Sequence, residues 1–180
     1  VPQANVGGSV ALTLVDGVTV ASAGSNVFST VAGTPFVNNV FDPNDEGTYN
    51  HATSTTIYDS LGSPHIATMY FVKEPQSGSN ASNLWTMYVQ ADRQDVGDPL
   101  TPGGDATRAS YSLVFDDDGA INTVLSDQVL ISNWQPLDAD GQPNGADGPL
   151  NLVAGGTIPV ALPPTSSNFT IDLGEATQFG

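Results

Sequence analysis

Cysteine is absent from the 180-residue chain. Its absence excludes disulfide bonds, thiolate metal sites and cysteine nucleophiles. The sequence also lacks a run of ~18 apolar residues, the length that a membrane-spanning helix requires, so we predict no membrane segment. The fold must therefore rely on its own hydrophobic core, which a chain of this length is long enough to form.

Basic residues are scarce. Lysine and arginine together number 3, against 19 aspartates and glutamates, and the net charge is −16. The three basic residues are Lys73, Arg93 and Arg108. A surface this acidic repels phosphate backbones and anionic lipid head groups. We therefore predict neither a nucleic-acid partner nor a membrane partner.

Sustained helical periodicity is missing as well. Val, Thr, Ile and Tyr dominate the apolar runs, which 19 glycines and 13 prolines interrupt. This pattern is typical of short strands and turns. It predicts an all-β fold, with an antiparallel β-barrel or sandwich as an outer domain and part of a second, inner β-domain. The predicted strands are residues 9–15, 26–31, 53–59, 65–73, 84–92, 110–115, 120–125, 128–133, 150–153 and 168–173.

The clearest predicted unit spans residues 53–92. A turn that contains Gly62 separates its first two strands, and the second of these is apolar on both faces. That strand should be central, with residues 84–92 as its antiparallel partner. A second hairpin is predicted to turn at residues 116–119, where Asp-Gly lies between two alternating strands.

Two acidic segments contain possible calcium ligands, since calcium takes ~6–8 oxygen ligands. The segment 116–118 is better explained as a hairpin turn. The segment 138–148 departs from the EF-hand spacing, which requires Asp or Asn where Gln142 stands. We therefore predict no metal site and no cofactor. The weak calcium candidates of the second segment are Asp138, Asp140, Asn144 and Asp147.

Catalytic motifs are lacking. A zinc site needs about three or four ligands, so we expect the two histidines, His51 and His65, at polar surface or edge positions. The sequence has no Gly-x-Ser-x-Gly motif to support a catalytic serine, and we predict no enzyme. Aromatic residues of the paired central strands are expected in the core rather than on a sugar-binding face. They are Tyr70, Phe71, Trp85 and Tyr88.

A series of short motifs resembles the flagellar hook protein family. Residues 48–62 read Thr-Tyr-Asn-His-Ala-Thr-Ser-Thr-Thr-Ile-Tyr-Asp-Ser-Leu-Gly and follow Phe-Asp-Pro at 41–43. His65 and an apolar strand that ends in Tyr-Phe-Val-Lys at 70–73 come next. Later members of the series are Trp85, Tyr-Val at 88–89, Leu-Val-Phe at 113–115 before Gly119, Phe-Thr-Ile-Asp-Leu at 169–173 and Thr-Gln-Phe-Gly at 177–180.

This resemblance implies an extracellular structural subunit of the bacterial flagellar hook, whose partners are other copies of itself. It also implies that this chain is a middle portion of that subunit and lacks the terminal helical segments. We expect this portion alone to be monomeric. Residues 1–35 would be inner-domain strands and a crossing segment, 36–164 the outer β-domain, and 165–180 the return strand to the inner domain. The alternative is an extracellular carbohydrate-binding or adhesin β-module, with or without a dependence on calcium.

Overall fold

The computed structural model describes residues 38–75, 83–101, 104–131, 133–148 and 169–178. Within these ranges the chain forms strands and one short 3-10 helix, Glu46–Thr48. The all-β prediction is confirmed. The predicted strands 9–15, 26–31 and 150–153 lie outside the described residues. The strands are β1 (His51–Tyr58), β2 (Pro64–Lys73), β3 (Leu84–Ala91), β4 (Gln94–Asp95), β5 (Ala109–Val114), β6 (Val129–Ile131) and β7 (Phe169–Ile171).

An antiparallel sheet is built around β2 and β3. Strand β2 lies between β1 and β3, as expected for a strand that is apolar on both faces. The other edge of β3 is shared, because β5 pairs with most of its length and β4 pairs with its last two residues. Strands β6 and β7 form a separate antiparallel pair. No helix in the described part of the chain is long and apolar enough to cross a membrane.

The main core lies between this sheet and the β6–β7 pair. The sheet contributes Met69, Met87 and Leu113, which are buried side chains on one face of β2, β3 and β5. From the other side, Ile131 and Trp134 join the same cluster, and the side chains of β7 pack against it. Burying these apolar surfaces is the main favourable contribution to folding. The choice between the two predicted architectures, barrel and sandwich, stays a prediction.

A smaller aromatic cluster covers the opposite face of the sheet. The ring of Phe41 stacks on Tyr88, with centroids 4.1 Å apart, and also contacts Tyr70. The Arg108 guanidinium lies 5.1 Å from the Phe41 ring centroid and donates a hydrogen bond of 2.6 Å to the Phe41 carbonyl. Both faces of β2 are therefore covered, and the predicted core position of the central aromatic residues is confirmed for Tyr70.

The predicted strand 120–125 is wrong. Only Ala120 and Ile121 make β-bridges, and the chain then turns. The Asn122 side chain accepts hydrogen bonds from the amides of Val124 and Leu125, which leaves these two apolar side chains exposed. An asparagine that binds the backbone ahead of it stabilises a turn in place of a strand. The Asp-Gly turn before it is confirmed, with Gly119 at φ 83°.

One further difference concerns a loop, while the strand at the end of the chain was predicted. Strand β4 lies in a segment where no strand was predicted. Its two residues are extended because they pair with the end of β3. Strand β7 pairs with β6 and so lies beside the main core. The boundaries between inner and outer domains at residues 35 and 164 stay a prediction.

Substitution of Phe41 should reveal how much the aromatic cluster stabilises the fold. Phe41→Ala removes a side chain that is only 4% exposed, and such truncations lower the free energy of unfolding by ~3–5 kcal/mol. The matched control is Val40→Ala, since the adjacent Val40 is 88% exposed and should be almost neutral. Urea unfolding followed by tryptophan fluorescence measures both. Equal effects of the two substitutions would contradict the assignment of Phe41 to a core.

Candidate functional site

The polar centre of the structure is His65, which is only 7% exposed. Its Nδ1 lies 2.6 Å from an Asp92 carboxylate oxygen, and its Nε2 lies 3.2 Å from Asp59 Oδ2. The expectation of a surface or edge position is wrong for His65, whereas His51 is exposed. Burial is possible because each ring nitrogen has a carboxylate partner, as a buried ionisable group requires.

Asp59 organises the turn between β1 and β2. Its Oδ1 accepts hydrogen bonds from the amides of Leu61 and Ser63, at 2.9 and 2.8 Å. Its Oδ2 accepts a bond of 2.6 Å from the Asn144 side-chain amide, in addition to the contact with His65. One buried carboxylate thus holds its own turn, the start of β2 and a distant loop together. We refer to His65, Asp59, Asp92 and Asn144 as the His65 cluster.

Asp92 and Arg93 form the two-residue turn between β3 and β4. Their φ angles are 49° and 65°, and two positive values are what a type I′ hairpin turn requires. The Asp92 amide donates to the Ile66 carbonyl at 2.8 Å, and the Ile66 amide donates to Asp92 Oδ1 at 2.9 Å. This turn was not predicted because Arg93 stands where Gly usually follows Asp in such a turn.

The loop from Leu137 to Gly148 contains the four calcium candidates. Asp138 Oδ1 accepts hydrogen bonds from the amides of Asp140 and Gln142, so this carboxylate stabilises its own turn. Asn144 binds Asp59, and the Asp147 amide donates to Ser60 Oγ at 2.7 Å. No group of three or more His, Asp or Glu side chains suited to a metal occurs in the described ranges. The loop is instead anchored on the β1–β2 turn.

Trp134 connects the His65 cluster to the main core. Its ring is nearly perpendicular to the His65 ring, with centroids 5.1 Å apart, and makes a similar contact with Phe169. The Trp134 Nε1 is buried and has no hydrogen-bond acceptor among the residues that the structure describes. The histidine is thus enclosed by an aromatic face on one side and carboxylates at both nitrogens. This enclosure keeps solvent from the His65–Asp59 pair, whereas the Asp92 side chain is 32% exposed.

The electrostatics favour an imidazolium between two carboxylates. Burial opposes the charge on His65, but hydrogen bonds to Asp92 and Asp59 outweigh burial and raise the pKa of His65. Burial likewise opposes ionisation of Asp59, but hydrogen bonds from Asn144, Ser63 and His65 lower its pKa to about 2. Since both ring nitrogens are engaged, neither is placed to take a proton from a substrate. The arrangement is suited to holding chain segments together.

The comparison with known proteins identifies one family. The family model described as flagellar basal body protein FlaE D2 domain matches residues 26–180, which is more than half of the chain. Comparisons with curated proteins and with solved structures gave no match.

The His65 cluster should make stability depend on pH in two directions. A histidine whose pKa is raised by folding adds stability that is complete below its unfolded pKa of about 6.5 and is lost as the pH rises through the folded pKa. Asp59 adds stability that is present above its unfolded pKa of about 3.9 and is lost as the pH falls towards its folded pKa of about 2. The combined contribution of His65 and Asp59 to the free energy of unfolding is therefore largest between about pH 3.9 and about pH 6.5, the two unfolded pKa values.

Replacing His65 tests this dependence. His65→Gln should lower the free energy of unfolding by ~3–5 kcal/mol near pH 5, because it leaves the buried Asp59 carboxylate without its cation. The difference from the parent chain should shrink as the pH rises through the folded pKa of His65. Urea unfolding between pH 4 and 9 measures this, with His51→Gln as the control at the exposed histidine. Parallel pH profiles for the parent and His65→Gln would rule out the charged histidine.

The left-handed backbone of Arg93 should cost stability. A non-glycine residue in this conformation destabilises the folded chain by roughly 1–2 kcal/mol. Glycine removes this strain, but its greater freedom in the unfolded chain takes back ~0.4–1 kcal/mol of the gain. Arg93→Gly should thus raise the free energy of unfolding by ~0.5–1 kcal/mol. Arg93→Ala keeps the Cβ atom and should give no such gain, so a similar gain from both would disprove backbone strain.

Proposed function

The chain belongs to the flagellar hook protein family through its FlaE D2 domain, and we propose from this membership that it is a self-assembling unit of the extracellular joint that transmits motor torque to the filament. The family has a structural role in the hook. The observation that carries the proposal is the match over residues 26–180. The motifs at 48–62 and 169–173 noted above lie within it.

Internal stiffness supports a torque-bearing role. The central strands are paired along their length, and both faces of β2 are covered by buried side chains. The His65 cluster also ties the β1–β2 turn to the β3–β4 turn and to the loop that contains Asn144. A close-packed unit of this kind transmits force with little internal change. Bending of the joint would then occur between copies rather than within them.

The surface charge supports reversible rather than permanent contacts. Like charges on chains with a net charge of −16 keep free copies soluble and apart. Permanent interfaces usually bury ~2,000–5,000 Å² and are more hydrophobic. We therefore expect contacts between copies to be small, and the chain alone to be monomeric at micromolar concentration. The arrangement of His65 described above also suits a structural role better than a catalytic one.

Electron microscopy can test the location directly. An antibody raised against the 180-residue chain should label the hook of intact flagella from the source bacterium, between the basal body and the filament. The same antibody after absorption with the purified chain is the control and should give no label. Labelling of the filament, or of the cell surface away from flagella, would disprove the proposed function.

A further inference from the structure

Three exposed apolar side chains lie at the end of the sheet that the His65 cluster holds. Tyr58, Leu61 and Ile66 are 66%, 65% and 48% exposed. Tyr58 is paired with Pro64, and Thr56 with Ile66, so Tyr58 and Ile66 are diagonal neighbours on one face of the sheet. Leu61 projects from the turn that joins the two strands. Clustered exposed apolar side chains of this kind commonly mark interaction sites.

Arg93 adds a cation beside these side chains. It is exposed and follows Asp92, whose amide is bonded to the Ile66 carbonyl. The other two basic residues are engaged, Lys73 over the Trp85 ring and Arg108 against Phe41. In the described part of the chain, Arg93 forms no salt bridge. We call Tyr58, Leu61, Ile66 and Arg93 the tip surface.

The left-handed backbone conformation of Arg93 indicates that its positive charge has a function. Glycine would relieve the left-handed conformation at this position, yet the chain has arginine, at φ 65°. Strain of this kind persists where the surrounding structure enforces it, and it is concentrated at functional positions. Here the enforcement comes from Asp92, which His65 and the Ile66 amide hold. The guanidinium is therefore presented from a rigid support.

The opposite end of the sheet is acidic. The segment before β1 lies there, because the Asn50 amide donates to the Phe71 carbonyl near the end of β2. The turn after β5 lies there too, because Val114 pairs with Leu84 at the start of β3. Both segments carry exposed carboxylates. These acidic residues are Asp42, Asp45, Glu46, Asp116, Asp117 and Asp118.

We propose that the tip surface docks onto the acidic end of a second copy of the chain, head to tail. This inference rests on the proposed function and specifies its contact. Arginine binds carboxylates with paired hydrogen bonds, while the three apolar side chains exclude water around that contact. Because the two joined surfaces differ, the contact does not close on itself and can repeat along a polymer.

Charge elsewhere at the tip end limits the contact to the surroundings of Arg93. Asp138, Asp140 and Asp147 are exposed on the loop that is anchored beside Ser60, so an acidic partner is repelled there and attracted only around Arg93. Two tip surfaces facing each other would bring Arg93 against Arg93. The patch consists of four side chains, whereas a stable interface takes roughly 20–30 residues from each partner. The contact should therefore be weak in solution and effective only when repeated.

The test measures apparent mass by light scattering, from micromolar to millimolar concentration of the chain. We expect a monomer at the low end and a rise in apparent mass at the high end, which salt suppresses. Arg93→Gln should abolish the rise. The matched control, Gln128→Glu, changes the net charge equally at an exposed position beside β5 and should retain most of it. An equal rise in apparent mass for Arg93→Gln and Gln128→Glu would overturn the proposal.

A mixing experiment tests the head-to-tail orientation. Arg93→Gln removes the cation of the tip surface, and the double variant Glu46→Lys/Asp117→Lys replaces two of the six carboxylates at the acidic end with lysine. Neither carboxylate makes a hydrogen bond within the described ranges, so these changes should leave the turns folded, which thermal melting verifies. Each variant alone should stay monomeric, and their mixture should reach the mass of a dimer and no more.

The possible outcomes separate this inference from the proposed function. Association of the lysine variant alone would indicate contact between two tip surfaces and would overturn the head-to-tail proposal. A parent chain that stays monomeric even at millimolar concentration would overturn it as well. Either result leaves the labelling of the hook by antibody unaffected, whereas labelling elsewhere would remove the proposed function itself.

Discussion

A buried histidine ring between two carboxylates organises one end of this domain. A charge taken out of water must be paired and hydrogen-bonded, and the partners of His65 lie on two different turns. Asp59 in turn recruits Asn144 from a loop that is distant in sequence. The need to pair one buried charge therefore determines how the β1–β2 turn, the β3–β4 turn and the 137–148 loop are placed on the sheet.

That constraint also explains a local departure from ordinary turn chemistry. The β3–β4 turn requires two left-handed residues, and Asp92 is retained because its carboxylate binds His65 and the Ile66 amide. Arg93 has no comparable local role in the described structure. In the assembly proposed above, its strained backbone is retained because it exposes a cation on a chain with a net charge of −16. Stability and assembly thus make opposite demands on this one position.

Most of the sheet could be predicted from the sequence, because alternation of apolar side chains reports which strands are covered on both faces. The expected strands 65–73 and 84–92 match β2 and β3 closely. The Asp-Gly turn was also predicted, since glycine is favoured where φ is positive. The strand predicted after this turn does not form, because the Asn122 side chain accepts hydrogen bonds from the amides that follow it and so makes a turn. Strand β4 was missed because its two residues pair only where β3 offers a free edge.

The sequence by itself determined the all-β class, the central hairpin and the family, since each depends on residue type and order along the chain. Only the tertiary structure decided that His65 is buried and that the loop with the calcium candidates is anchored on Asp59. It also decided that Arg93 and the carboxylates of the 42–46 and 116–118 turns lie at opposite ends of the sheet. The physical reason is that pairing of charges acts through distance in space, and residues far apart in sequence become neighbours only after the strands have paired.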